Sequence, residues 1–301
     1  MPRAVADTLA ETAPEPVPEI TDVTQQHARD EHEIKFAVPM AQVDVFFAET
    51  GGRLSPQVYD EALPVAFSRT TYLDTPDLEY LASSKESLSR RLRIREYAGA
   101  AAAGEPVRLM DLCYLEYKES HAGQRRKARV RIAAHDIAEI LQKPARLVDS
   151  LRNPSRSELR SAQVLMRELE GKRLLPQLTT WYRRQSLRDA DGSVRVTLDT
   201  ELAFCHPVRP GAESAGEPVL PAERVAGHAP ACLLEVKSMG APPTWLDRAM
   251  RRLGKPPGTR LSKYAMGMRM LLAPEEDVSG PSALSGETGQ GRQAEPAGAG
   301  G

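Results

Sequence analysis

Arginine and lysine recur at every second residue in several short stretches of this chain. Arg91, Arg93 and Arg95 alternate with Leu92 and Ile94, and Lys127, Arg129 and Arg131 alternate with Ala128, Val130 and Ile132. Glu116 and Lys118 alternate with Leu115 and Tyr117, and Glu31, Glu33 and Lys35 with Ile34 and Phe36. Arg195, Thr197, Asp199 and Glu201 oppose Val196 and Leu198; Glu235 and Lys237 flank Val236; Arg184 falls in step with Tyr182, Ser186 and Arg188. In an extended strand, residues two apart point the same way, so each stretch has a charged face and an apolar one. A guanidinium fork grips phosphate oxygens in pairs, and an ammonium acts on them as a point charge. Carboxylates among such cations either pair with them or hold a hard divalent cation that bridges phosphate oxygens.

An ordinary half-solvated sheet turns its charged face to water. Here Arg and Lys dominate several charged faces, and roughly ten like charges on neighbouring strands repel unless an anion or carboxylates lie among them. A sheet closed on itself, charges inside and apolar rows outside under helices, accommodates both rows. Its bore is basic with a few carboxylates, which suits inorganic polyphosphate or a nucleoside triphosphate with Mg²⁺ or Mn²⁺. Nucleic acid fits poorly: aromatic residues are only 5% of the chain, so the charged faces lack stacking platforms for bases. No Ser-His-Asp or Cys-His arrangement is visible, and the six histidines fall mostly at element ends or in loops.

The elements that must carry these rows follow from periodicity. Period-2 runs predict strands over 31–38, 65–73, 90–97, 112–119, 126–133, 180–188, 194–202 and 231–238. Helices are expected over 39–50, 76–83, 135–142, 155–170, 244–253 and 262–272, the fourth supported by a Ser155/Glu158 capping box. Asp191-Gly192 signals a tight hairpin. Strands mostly in succession with helices in the connections give an antiparallel α+β fold, an eight-stranded β-barrel with surrounding helices.

Residues 1–26 and 274–301 carry five acids and one base each, are rich in Pro, Ala and Gly, and read as disordered tails. The formal net charge of −1 therefore hides a body, residues 27–273, with 38 basic and 31 acidic side chains. A positive body favours anionic partners. Residues 207–229 read as a long surface loop. Cys113, Cys205 and Cys232 form no CxxC pair, which argues against a disulfide scaffold or zinc ribbon and suits a reducing cytoplasm. No apolar run reaches the roughly 20 residues of a membrane helix, and no secretory leader is visible.

The ordered series EHEIKF (31–36), YLDT (72–75), RLRIREY (91–97), LEYKE (115–119), RRKARVRI (125–132), WYRRQSL (181–187), VRVTLDTEL (194–202), LEVKS (234–238) and SKYAMG (262–267) resembles the VTC domain. That domain is the polyphosphate polymerase module of vacuolar transporter chaperone complexes. It belongs to the triphosphate tunnel metalloenzymes, relatives of the CYTH phosphohydrolases. The resemblance spans about 27–273 and implies an eight-stranded antiparallel tunnel, in agreement with the strand reading. It implies that Arg93, Arg95, Lys118, Lys127, Arg184 and Arg195 contact triphosphate or polyphosphate oxygens, with Lys237 and Lys263 in catalytic positions. Lys35, Arg91, Arg129, Arg131, Arg260 and Ser262 would help bind the substrate. Glu235 matches the family's metal-binding glutamate, and Glu33 matches part of the ExExK motif of the hydrolase relatives; Arg260 stands where a lysine is expected. Asp199 and Glu201 fall on the expected tunnel face, either with a role in the site or as structural partners of arginines. Trp181, Trp245 and Met266 read as core.

The resemblance implies transfer of the γ-phosphate of ATP to a growing polyphosphate chain with Mn²⁺ or Mg²⁺. A triphosphatase of the same fold and a non-catalytic polyphosphate or nucleotide sensor are the alternatives. Any membrane role would need a separate membrane partner.

Overall fold

The computed structural model describes residues 31–83, 88–122, 124–207, 225–256 and 261–272. The two expected tails, most of the 207–229 loop and Arg260 lie outside the described residues. Each of the eight expected strands is present: β1 (Glu31–Val38), β3 (Val65–Asp74), β4 (Leu88–Ala100), β5 (Arg108–His121), β6 (Gln124–Ile132), β7 (Leu175–Arg188), β8 (Val194–Cys205) and β10 (Cys232–Met239). Two short strands join them, β2 (Ser55–Pro56) against β7 and β9 (Val225–His228) against β8. The helices are α1 (Met40–Thr50), α2 (Glu79–Ser83), α3 (Ile137–Gln142), α4 (Arg146–Asp149), α5 (Arg156–Leu169), α6 (Thr244–Arg252) and α7 (Lys263–Leu272). No described helix is long and apolar enough to cross a membrane.

The sheet runs β1-β10-β8-β7-β3-β4-β5-β6 with every pairing antiparallel. The β7–β8 hairpin turns where Asp-Gly predicts it. Gly192 takes a left-handed φ of 75°, and the Asp189 carboxylate accepts the Val194 amide at 2.8 Å, which locks the turn.

Which face of each strand points inward is decided by what the helices cover. Leu92, Ile94, Leu115, Tyr117, Val130 and Ile132 pack against Ile137, Ile140, Leu147, Ala162 and Leu165 of α3, α4 and α5. Phe36, Val196, Leu198, Leu234 and Val236 pack against Val43 and Phe46 of α1 and Leu246 and Ala249 of α6. Burying each such aliphatic or aromatic side chain stabilises the fold by about 1.5–3 kcal/mol. Helix α5 is set by its capping box: the Ser155 hydroxyl accepts from the Glu158 amide at 3.2 Å, and the Glu158 carboxylate accepts from the Ser155 amide at 2.8 Å. The apolar rows are thus the outer, helix-covered wall, and the charged rows line the inside.

The sheet curls into a barrel whose last seam differs from the others. Among the described residues, β1 and β6 share no backbone pairing; Arg125 of β6 instead reaches Glu33 of β1 at 3.0 Å. At one end the bore is filled by apolar side chains. Tyr72, Leu178, Tyr182, Leu202, Phe204 and Leu233 pack with Tyr264 and Met268 of α7. Only glycine permits that approach at residue 267, since a Cβ there would meet Leu178 and Phe204 carbons at 2.5 Å.

One expectation about facing is corrected here. Glu201 has a left-handed φ of 55°, and the β7–β8 register shifts between Trp181 and Arg183. This bulge breaks the alternation after Asp199. Leu202 and Phe204 take the inward positions, while the largely exposed Glu201 lies 3.8 Å from Arg183. Glu201 does not line the bore with Asp199.

Candidate functional site: a basic bore

Three carboxylate-centred clusters line the bore, each produced by register. In the first, β4, β5 and β6 place Arg93, Glu116 and Arg129 side by side. Glu116 is 2% exposed. Its Oε2 accepts from Arg93 Nε at 2.7 Å and lies 2.6 Å from Arg93 Nη2, and its Oε1 lies 3.1 Å from Arg129 Nε. Arg95, also buried, approaches the same carboxylate at 4.0 Å. Arg129 Nη2 donates to the Tyr97 hydroxyl at 2.9 Å, and its guanidinium lies 3.6 Å from the centre of the Tyr114 ring. The next level of the ladder holds Arg91, Lys118 and Lys127, one on each strand. Lys118 titrates well below an ordinary lysine, chiefly because of the Arg93 charge and burial, against the pull of Glu116. Lys127 is also lowered, by burial and then by Arg129 and Arg93 against Glu116. Burial alone would push Glu116 up; Arg93, Arg95, Lys118 and Arg129 reverse this and hold it well below the usual carboxylate range.

In the second cluster, Asp199 of β8 faces Arg184 of β7. Arg184 donates through Nε at 2.6 Å and Nη2 at 2.7 Å, a two-pronged fork, and Lys263 Nζ donates at 2.6 Å. Lys263 is the first residue of α7, and the Ser262 hydroxyl before it accepts from the Ala265 amide at 3.4 Å. Ser262 thus caps this helix. Tyr182 is fully buried beside the cluster, its ring centre 4.5 Å from Lys263 Nζ and 5.1 Å from the Arg184 guanidinium carbon. Burial pushes the phenol up, but Arg95, Arg184 and Lys263 more than reverse it, leaving it at about 7.

The third cluster joins β1 and β10, where Lys35 pairs with Glu235 and Glu33 with Lys237 in register. Lys35 bonds Glu33 and lies 3.0 Å from Glu235; Lys237 lies 3.4 Å from Glu33 and 3.8 Å from Glu235. Arg125 completes the ring from across the seam. Glu33 titrates at about 2: burial would raise it, and Lys35, Lys237 and Arg125 outweigh that. Glu235 is lowered also, burial and Glu33 opposing Lys35 and Lys237. Arg195 sits one strand further on, level with Lys237 and Arg188 and half-buried. Arg131 is at the exposed end of the β6 row, where it donates to the Asp111 carbonyl at 2.9 Å.

Of the expected site residues, Arg93, Arg95, Lys118, Arg184, Lys263, Lys35, Lys237, Glu33 and Glu235 fall into the three clusters, Lys127 and Arg131 sit at exposed positions of β6, Ser262 caps α7, and Arg260 lies outside the described residues. Alternation alone did not show Glu116 as a hub, Tyr182 as a buried phenol among cations, or Arg125 as the seam bridge; strand register places all three. Trp181 lies in the outer core with Ala98, Leu109 and Cys205, and Trp245 and Met266 are partly buried in core packing. Cys113 and Cys205 are buried and Cys232 half-buried, all three free.

Among the described residues, no group of three or more His, Cys, Asp or Glu side chains is placed to hold a metal. Glu33 and Glu235 are nevertheless two hard oxygen donors on adjacent strands. Magnesium-like cations are commonly bound by one or two carboxylates, with substrate phosphates and water filling the shell. The pair fits that mode, with the difference that Lys35, Lys237 and Arg125 crowd the same carboxylates and compete for them.

An antiparallel barrel of α+β type with a cationic, carboxylate-dotted bore defines the class: a tunnel-like α+β fold. The VTC domain family model matches residues 30–272, and the chain belongs to that family. No curated protein matches the chain. Among solved structures it is similar to a provisionally assigned adenylate cyclase from Bacillus halodurans, at 13% identity over 74% of this chain and 87% of that one, with a TM-score of 0.36. A second, likewise provisionally assigned adenylate cyclase, from Vibrio parahaemolyticus, is similar at 14% identity over 74% and 83%, with a TM-score of 0.33.

Proposed function

We propose that this protein is a metal-dependent polyphosphate polymerase that transfers the γ-phosphate of ATP to the end of an inorganic polyphosphate chain. The observation that supports it most is the inward facing of the charged rows: eleven basic side chains accompany four carboxylates in the three clusters. Such an excess of fixed positive charge suits a polyanion and little else.

The triphosphate lies along the bore, held by Arg93, Arg95 and Arg129 on one side and by Arg184 and Lys263 on the other. These groups already sit in charge-assisted contacts with Glu116 and Asp199, so they are oriented before substrate arrives. The terminal phosphate of the acceptor chain attacks the γ-phosphorus. A new P–O bond forms, the bond to the β-bridging oxygen breaks, and its electron pair leaves with ADP. An anionic acceptor needs no general base, in keeping with the missing Ser-His-Asp and Cys-His arrangements. The arginines and lysines suppress repulsion between the two anions and stabilise charge on the transferred group. Glu33 and Glu235 would hold the Mn²⁺ or Mg²⁺, which when bound supplies further neutralisation of the phosphate charge. A location in the cytoplasm, where ATP is abundant, fits this reading.

The test is incubation of the full chain with ATP and Mn²⁺ while ADP and long-chain polyphosphate are followed together. Arg93→Ala and Glu235→Ala are expected to slow turnover by about 100-fold or more. Arg93→Ala should also lower the melting temperature, because Glu116 loses its shortest partner. ADP without polyphosphate would make the protein a triphosphatase, and tight binding without turnover would make it a sensor.

A further inference from the structure

The carboxylate of Asp74 is fully buried at the end of β3, beside the apolar plug and apart from the three charged clusters. Its Oδ1 accepts from the amides of Thr75 at 2.8 Å and Tyr80 at 2.9 Å, and its Oδ2 from the amide of Leu81 at 3.0 Å. The fourth donor is not local. The Tyr264 hydroxyl, 190 residues further along the chain, donates to Oδ2 at 2.7 Å. The Tyr264 ring stacks on Tyr72 with centres 5.0 Å apart and planes 15° apart. Burial and the Asp74 contact raise the Tyr264 pKa, so the phenol remains the donor.

Tyr264 follows Lys263 directly, in the first turn of α7. A hydrogen bond to a buried carboxylate, plus a stacked ring, fixes both the rotation and the axial position of that turn. Lys263 is the residue that this fixing aims, and its Nζ reaches Asp199 beside the Arg184 fork. A long ammonium side chain on an unanchored helix end would sample many positions. Here three amides of the β3–α2 corner lock Asp74, Asp74 locks Tyr264, and Tyr264 locks the start of α7.

We infer that Asp74, acting through the Tyr264 hydroxyl, is the positioning group that holds Lys263 in the bore for contact with phosphate. This rests on the reading of Lys263 as a phosphate contact in the proposed function. Among the described contacts, neither Asp74 nor Tyr264 reaches the charges of the three clusters, so their effect on ligand is indirect.

The experiment is calorimetric titration of the full chain with inorganic tripolyphosphate, without metal, for Lys263→Ala, Tyr264→Phe and the double variant. Phenylalanine keeps the ring stack and removes only the hydroxyl. Tyr264→Phe is expected to weaken tripolyphosphate binding about tenfold, the effect of one charge-assisted hydrogen bond. In the Lys263→Ala background it is expected to weaken binding no further, because the group it aims is gone. Met268→Ala is the control for general loosening: it thins the packing of α7 further along the helix and leaves the Asp74–Tyr264 contact in place. Its binding is expected to stay within about twofold of wild type at temperatures below its melt. Additive effects of Tyr264→Phe and Lys263→Ala, undiminished binding by Tyr264→Phe, or an equal loss in Met268→Ala would each overturn the inference while leaving the phosphate contact of Lys263 intact. Wild-type binding by Lys263→Ala would overturn the underlying reading, and the inference with it.

Discussion

Tyr182 stands where the apolar plug of the barrel meets its charged bore, and its chemistry follows from that border. A buried phenol ordinarily resists ionisation, yet Arg95, Arg184 and Lys263 hold this one at about 7. When ionised, its phenolate is an internal counter-ion for cations that otherwise face one another. Because the folded pKa is depressed from the ordinary value near 10, ionised Tyr182 contributes stability that is fully present above about pH 10 and is lost as pH falls through about 7. Unfolding of wild type and Tyr182→Phe by urea should therefore show a gap that widens in favour of wild type as pH rises from 7 towards 9. A gap independent of pH would mean that the hydroxyl stays protonated. None of this was legible from sequence, where Tyr182 was only a residue in step with Arg184. The cationic rows themselves were legible, since alternation reports facing directly. Alternation does not report level along the barrel. That Glu116 falls between Arg93 and Arg129 is a fact of strand register, and register depends on hairpin geometry.

At the scale of elements, most of the eight strands were visible because apolar and charged residues alternate along them, while β3 showed itself by its β-branched and aromatic content, with Arg69 its only charge before Asp74. Their ends were not: Ala98, Gly99 and Ala100 extend β4 and carry no pattern. The two-residue β2, the four-residue β9 and the single turn of α4 lack the length for periodicity to register. The bulge at Glu201 was hidden for another reason. A left-handed residue usually announces itself as glycine, and here glutamate adopts that conformation. The β1–β6 seam was equally invisible, because a closed barrel and a barrel joined by side chains present the same faces. It has a mechanical consequence. Every other junction is a ladder of backbone hydrogen bonds, whereas this one relies on Arg125 and Glu33 among the described contacts. Arg125→Ala is expected to raise amide exchange in β1 and β6, by up to about fivefold for the loss of a largely exposed ion pair worth at most about 1 kcal/mol, and to leave β3 and β7 unchanged. Exchange rising evenly across all eight strands would show that the seam is not a separate point of opening.

The whole molecule is balanced around charge. Its outer wall is conventional, apolar rows under amphipathic helices, and that wall carries the folding free energy. Its bore runs the other way: depressed Lys118 and Lys127 show that bringing the cations together works against their ionisation, despite Glu116 at the centre. A polyanion that enters replaces mutual repulsion by attraction and favours the charged form of those lysines. Binding to the folded chain alone stabilises it by about 2.7 kcal/mol at a ligand concentration 100 times the dissociation constant. For a folded body of this length that amounts to a rise of roughly 5–10 °C in melting temperature. Inorganic tripolyphosphate is accordingly expected to raise the melting temperature well beyond sodium chloride of the same ionic strength, and more at pH 7 than at pH 9, where recharging the lysines costs more. Sodium chloride only screens the bore, while tripolyphosphate spans several of its cations at once. Equal shifts from the two salts would place the relevant cations on an open, ordinarily solvated surface and remove the physical basis for a phosphate tunnel.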